Sequence, residues 1–173
     1  MMSLSSVFWL LLIIAGTIGG SRGWAREILV LFSLVLAMCI NALIQQFMPE
    51  VDAVLRAQSP LFQFSVRAVF FMVLAFFGYE SPAISSALAG KGKREKLQDI
   101  LLGFVLGMIN GYLLVGSLWF YMHETQYPIP GVIPPTEPSV LNYLNFMPPK
   151  VVGVPQIYFA TVASFVFVLV VFL

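Results

Sequence analysis

The sequence predicts an all-α, polytopic integral membrane helix bundle, and three observations carry that prediction. Hydrophobic residues fill 60% of the 173 positions and charged residues only 10%, with a mean hydropathy of +0.93. Soluble domains run near 45–50% apolar and about 25% charged. Long apolar runs recur, each close to the roughly 20 residues that a helix needs to cross about 30 Å of hydrocarbon. Lys and Arg gather in alternate connections between those runs, which is the pattern that sets membrane topology.

The first span covers residues 5–20 and the second, 28–48, carries no charge. The third, 61–79, is interrupted by Arg67, and the fourth, 97–122, holds Asp99 near its start and is long enough to cross with tilt. Together they make a four-span core over residues 1–122. Residues 156–173 read as a fifth span, nearly all Val, Phe, Leu and Ala. Such β-branched content suits a strand in water, but a lone strand in lipid leaves its backbone groups unsatisfied, so helix is the reading. The run reaches Leu173 without a polar flank, which fits an end at the membrane face or a piece of a longer chain.

The connections differ in character. Residues 21–27 form a tight turn with Arg22, Gly23 and Arg26, whereas 49–60 mix Glu50, Asp52 and Arg56. Residues 80–96 hold Lys91, Lys93, Arg94 and Lys96, and 123–155 contain eight of the eleven prolines. That is too many for a helix, so 123–155 reads as an ordered extramembrane loop. Six of the nine Lys and Arg lie in the first and third connections, against Arg56 and Lys150 on the other side. The bias places the N-terminus outside and residues 80–96 in the cytoplasm. Trp9 and Trp119 then read as anchors at the outer interface and Trp24 at the inner one.

Composition also excludes several classes. A net charge of +1 leaves no basic surface for nucleic acid. The single cysteine, Cys39, and single histidine, His123, allow no disulfide framework and no Cys/His metal spacing. No Ser/His/Asp grouping exists, and Gly90-Lys-Gly-Lys-Arg-Glu lacks phosphate-loop spacing. No catalytic, cofactor or metal residue is therefore predicted.

What the spans do contain is glycine at regular spacing. Ala15, Gly19 and Gly23 recur every four residues, as do Gly103, Gly107 and Gly111, and such small residues let two backbones approach closely. Gly19-Gly-Ser-Arg-Gly-Trp24 aligns with Gly107-Met-Ile-Asn-Gly-Tyr112, as in an inverted repeat. The expected register of the antiparallel first and fourth spans sets Gly23 by the start of the fourth, Gly19 by Gly103 and Ala15 by Gly107. Asp99 lies four residues before Gly103, so this register brings Arg22 and Arg26 toward it as a charge lock.

On these residues the chain resembles the colicin V production protein family. The resemblance rests on Gly16-Thr-Ile-Gly-Gly-Ser-Arg-Gly-Trp-Ala-Arg-Glu27 with Leu31, Ser33 and Ala37, and on Leu97-Gln-Asp-Ile-Leu-Leu-Gly-Phe-Val-Leu-Gly-Met-Ile-Asn-Gly-Tyr112. It covers residues 7–122, leaving the Pro-rich stretch and the fifth span outside the usual four-span core. It implies an inner-membrane protein tied to peptide export or envelope maintenance, without known catalysis.

Other polar residues have two readings each. Arg67 is either a ligand contact facing the bundle or a side chain that snorkels to the outer interface, and the second is the expectation. Asn41 and Asn110 are expected to hydrogen-bond between helices. His123 and Glu124 read as an ordinary polar flank. Lys91, Lys93, Arg94 and Lys96 suit anionic lipid headgroups, the topology signal, or both. The function expected is a non-catalytic membrane protein acting through helix packing, membrane lipids and other membrane proteins. An accessory subunit of a larger complex is the alternative. A small transporter using Arg67, Asp99 and Asn110 ranks last, because a transporter needs more intramembrane polarity.

Overall fold

The computed structural model of the chain describes residues 3–79 and 96–172. Among them every regular element is helical: α1 (Leu4–Arg22), α2 (Trp24–Phe47), α3 (Pro49–Arg56), α4 (Pro60–Tyr79), α5 (Lys96–Glu124), α6 (Pro138–Tyr143), a 3-10 turn (Leu144–Phe146), α7 (Pro148–Val151) and α8 (Gln156–Phe172). Four of these, α1, α2, α4 and α5, are long and apolar enough to cross a membrane. Helix α8 is apolar but has only 17 residues, about 25 Å at 1.5 Å per residue.

Helix α5 is the axis of the bundle. α1 packs antiparallel along it, while α2 runs beside it in the same direction and α4 returns against both. Val30, Leu34, Phe71, Leu113 and Tyr121 form the core between α2, α4 and α5. A second cluster joins Phe8 and Leu12 of α1 to Trp119 and Met122 of α5 and to Val140, Leu144 and Met147. Helix α8 lies on α2, with the Phe32 and Phe165 rings 6.4 Å apart and the Tyr158 hydroxyl donating to Gln46 at 2.8 Å.

Three sequence expectations change here. The connection at 21–27 shrinks to Gly23, because α2 already begins at Trp24 and takes Glu27 into its first turn. The stretch 123–155 is not all loop: Pro138 and Pro148 sit at the starts of α6 and α7, where a missing N–H breaks no helical bond. Nor does it stand clear of the bundle. Met147 and Pro148 are buried against Gly116, and the Tyr112 hydroxyl donates to the Phe146 carbonyl. Trp119, read as an interface anchor, is a core residue whose ring lies tilted against Phe8, the centroids 5.6 Å apart, while Trp9 is half exposed.

Candidate functional site

Polar side chains meet the bundle at two ends. The turn end carries the α1–α2 turn and the start of α5; the loop end carries α3, Glu124 and residues 125–155.

At the turn end the glycines bring backbone to backbone. A Cβ added at Gly19 would strike the carbonyl oxygen of Gly103 and come 2.7 Å from the Gly107 Cα. At Gly107 it would lie 2.5 Å from the Ala15 carbonyl oxygen, and at Gly111 it would lie 2.6 Å from the Ala15 Cβ. The structure thus places Gly19 between Gly103 and Gly107, and Ala15 between Gly107 and Gly111. Gly23 closes the seam with φ +86° and ψ 158°, a region that only glycine adopts easily. A side chain there would also press on the Asp99 carboxylate, 2.9 Å away.

Asp99 does not pair with Arg22 or Arg26, which corrects the expected charge lock. Its Oδ1 accepts the backbone N–H of Trp24 at 3.2 Å. Gly23 has no side chain to cap α2, so a carboxylate from α5 does it, where the positive end of the helix dipole favours an anion. Arg22 turns instead over the Tyr79 ring, its guanidinium carbon 4.3 Å from the centroid.

One residue that sequence reasoning missed lies one turn further in. Glu27 is wholly buried, at 0% exposure. Asn110 Nδ2 donates both to its Oε2 and to its backbone carbonyl, each at 2.8 Å. The Glu27 Oε1 and Asn110 Oδ1 atoms have no partner among the described residues. A signal existed: Asn110, a polar residue inside a span, asks for a partner at its own depth. Glu27 was hidden by being assigned to the turn.

The loop end holds an ionic cluster. Arg67 is 5% exposed and faces the bundle. Its Nη1 donates to Glu124 Oε2 at 2.8 Å, its Nη2 lies 4.0 Å from Asp52, and the guanidinium sits 5.1 Å from the Tyr121 ring centroid. The Tyr121 hydroxyl accepts from Asn41 at 2.8 Å, which ties α2, α4 and α5 together. Asp52 also binds Arg56 at 2.5 Å, and that hydrogen bond and the carboxylate's charge raise the Arg56 pKa. Glu124 is therefore more than a polar flank, whereas His123 is exposed and touches only the Tyr127 ring edge in the described contacts.

Arg67, Asp99 and Asn110 lie in separate clusters, and the structure does not bring them to one site. Lys96 is exposed at the start of α5, and the expectation for Lys91, Lys93 and Arg94 lies outside the described residues. Among the described residues no group of three His, Cys, Asp or Glu side chains is placed to hold a metal.

The family model described as Colicin V production protein matches residues 4–145, from the first residue of α1 into the 3-10 turn. The likeness therefore runs beyond residue 122 and includes most of the Pro-rich stretch. No curated protein and no solved structure matches the chain.

Proposed function

The chain belongs to the colicin V production protein family, a multi-pass membrane family that is not a known enzyme family, and on that premise we propose a non-catalytic scaffold of the bacterial inner membrane. It supports peptide export or envelope maintenance through helix packing and through binding other membrane proteins. The observation that carries this reading is the seam between α1 and α5. Glycines there hold two backbones together, and the nearby polar groups of Asp99 and Glu27 bind backbone or side chains of the same bundle. Groups engaged in that way fix a shape rather than perform chemistry.

The Lys and Arg bias favours the turn end in the cytoplasm and the loop end outside, and the apolar α8, which lies on α2, is taken as a fifth span. Cysteine labelling at Thr136 and Gly92 in sealed cells, in a Cys39→Ser background, tests this. Labelling of Gly92 from outside overturns it.

The accessory-subunit reading draws on the apolar surface of α4 and α8, where Phe76 and Phe159 are well exposed. Purification in mild detergent with mass spectrometry of co-purifying proteins separates the two: a stoichiometric partner favours the subunit. A deletion strain with normal peptide export and an intact envelope, and no co-purifying protein, defeats both.

A further inference from the structure

We propose that α3 is an interfacial helix, set in the headgroup–acyl boundary of the leaflet at the loop end with Val51 and Val54 turned into lipid. Its partner is the phospholipid bilayer, met through acyl chains rather than through a chosen headgroup. The placement requires that α2 and α4 cross the membrane, and it holds whichever face is outside.

The first observation is how the eight residues of α3 divide around the helix. At 3.6 residues per turn, Asp52 and Leu55 share one strip, Val51 and Val54 a second, and Glu50, Ala53 and Arg56 a third. The first strip is half-buried and looks into the chain, with Asp52 lying 4.0 Å from the Arg67 guanidinium. The other two are exposed, and Val51 and Val54 reach 52% and 64%. One free strip is thus apolar and the other carries charge. Neither water nor hydrocarbon alone suits both, and the boundary between them does.

The second observation is depth. α4 has 20 residues, about 30 Å at 1.5 Å per residue, which only just matches the hydrocarbon thickness of about 30 Å. Its first turns therefore cannot stand clear of the bilayer, and α3 is fastened beside them. Gln63, at the end of the first turn of α4, donates through Nε2 to the Arg56 carbonyl at 3.0 Å and the Gln58 carbonyl at 2.7 Å. Those bonds satisfy acceptors that the end of α3 leaves open. Asp52 approaches Arg67, one turn deeper. From Pro60 to Arg67 the helix rises about 10 Å, close to the roughly 5–10 Å to which interfacial helices are buried.

The third observation is continuity of apolar surface. Val51 and Val54 wall one groove together with Phe62, Val66 and Phe70 of α4. Phe62 and Val66 are themselves exposed, and the outer surface of a spanning helix meets acyl chains. The valine strip of α3 therefore extends a surface that lipid already covers. Apolar residues exposed singly need no explanation, but these two are joined to the lipid face.

The test places a nitroxide on Val51→Cys, Val54→Cys, Ala53→Cys or Val69→Cys of the full chain, in a Cys39→Ser background, reconstituted into palmitoyl-oleoyl phosphatidylcholine vesicles. Power-saturation electron paramagnetic resonance compares collisions with oxygen, which concentrates in hydrocarbon, and with a neutral nickel chelate, which stays in water. Val69 is exposed in the middle of α4 and supplies the lipid value. The expected oxygen-to-nickel ratio at Val54 is at least threefold above that at Ala53, and Val51 serves where the Val54 variant fails to fold. A ratio at the valines as low as at Ala53 turns the strip to water and overturns the placement. Few collisions with either reagent at the valines mean that protein covers them, a second copy included, and overturn it as well. A high ratio at Ala53 also rejects it, because α3 would then be sunk in hydrocarbon on both free strips. If Val69 itself reports water, α4 does not span and the placement falls with it.

Discussion

The two ends of this bundle hold their helices together by opposite means. At the turn end α1 and α5 touch through glycine, with no side chain between the backbones. At the loop end α2, α3, α4 and α5 meet at the reach of long polar side chains, through Arg67, Glu124, Asp52 and the Tyr121–Asn41 pair. Lipid is as apolar as the helices, so burial alone does not drive them together, and close packing or polar contacts must. The glycine seam is rigid and tolerates no added atom. The ionic cluster tolerates rearrangement, because its members have rotatable stems and Glu124 is partly exposed.

That difference is sharpest for the seam itself. Gly19→Leu or Gly103→Leu should be the most damaging single changes, each at the upper end of overpacking costs of roughly 1–3 kcal/mol or beyond. Gly19→Ala should fall within that range, since its Cβ meets Gly103 and Gly107 backbone atoms that have nowhere to move. Gly20→Ala is the control. Its Cβ would lie 3.3 Å from the Ile100 carbonyl oxygen, so it should cost far less. Denaturant titration in micelles compares them, and equal losses at Gly19 and Gly20 would show that the ladder is not the lock.

The same contrast explains what the sequence made legible. Four-residue spacing is local, so the ladders Ala15–Gly19–Gly23 and Gly103–Gly107–Gly111 and their antiparallel register could be read from one chain. Apolar length gave four helices to within a few residues. Arg67 was different: its partners Glu124 and Asp52 lie on other elements, and no spacing rule reports that they converge. Glu27 was lost because residues 21–27 were read as a turn, when Gly23 alone makes it. The Pro-rich stretch was misjudged for a related reason. Proline forbids helix interiors but not helix starts, and Pro148 opens α7 with its ring against Gly116.

At the loop end the two partners of one ion pair should respond unequally. Arg67→Met removes the buried cation and frees Glu124, which turns to water. Glu124→Ala leaves Arg67 buried at 5% exposure with only the distant Asp52 carboxylate. It should therefore cost more than Arg67→Met, about 1–3 kcal/mol for a buried group losing its partner. Thermal unfolding of both variants and of Arg67→Met/Glu124→Gln checks the order. A larger loss for Arg67→Met would mean that the arginine stem, not its charge, holds α4 in place.

The Glu27–Asn110 pair predicts coupling rather than a large single effect. Asn110→Leu leaves Glu27 buried without its donor, and Glu27→Leu leaves the Asn110 amide with the backbone carbonyl alone. Each should cost about 1–2 kcal/mol, the upper range for polar contacts between membrane helices. Glu27→Leu/Asn110→Leu should lose less than the sum, since neither partner is left exposed to the other's absence. Additive losses in a double-mutant cycle would show that the two residues act independently.

The smallest expected effect belongs to Asp99, and it decides between two accounts of the turn end. As a cap, Asp99 needs an acceptor oxygen at the Trp24 N–H and gains from the α2 dipole. As a lock, it would need the charge of Arg22 or Arg26. Asp99→Asn keeps an acceptor and loses only the charge, so capping predicts a loss of about 0.3–1 kcal/mol. Asp99→Ala removes the acceptor as well and should cost somewhat more, about 0.5–2 kcal/mol by analogy with other caps. Asp99→Arg should be worse than either, because it sets a cation against the positive end of α2 beside Gly23. The reversals discriminate: Arg22→Asp should not restore Asp99→Arg, since Arg22 lies over Tyr79 rather than on the carboxylate. Arg26→Asp should fail equally, as the carboxylate hydrogen-bonds the Trp24 backbone and not Arg26. Recovery of the unfolding midpoint by either reversal would return the charge lock and leave the Trp24 contact incidental.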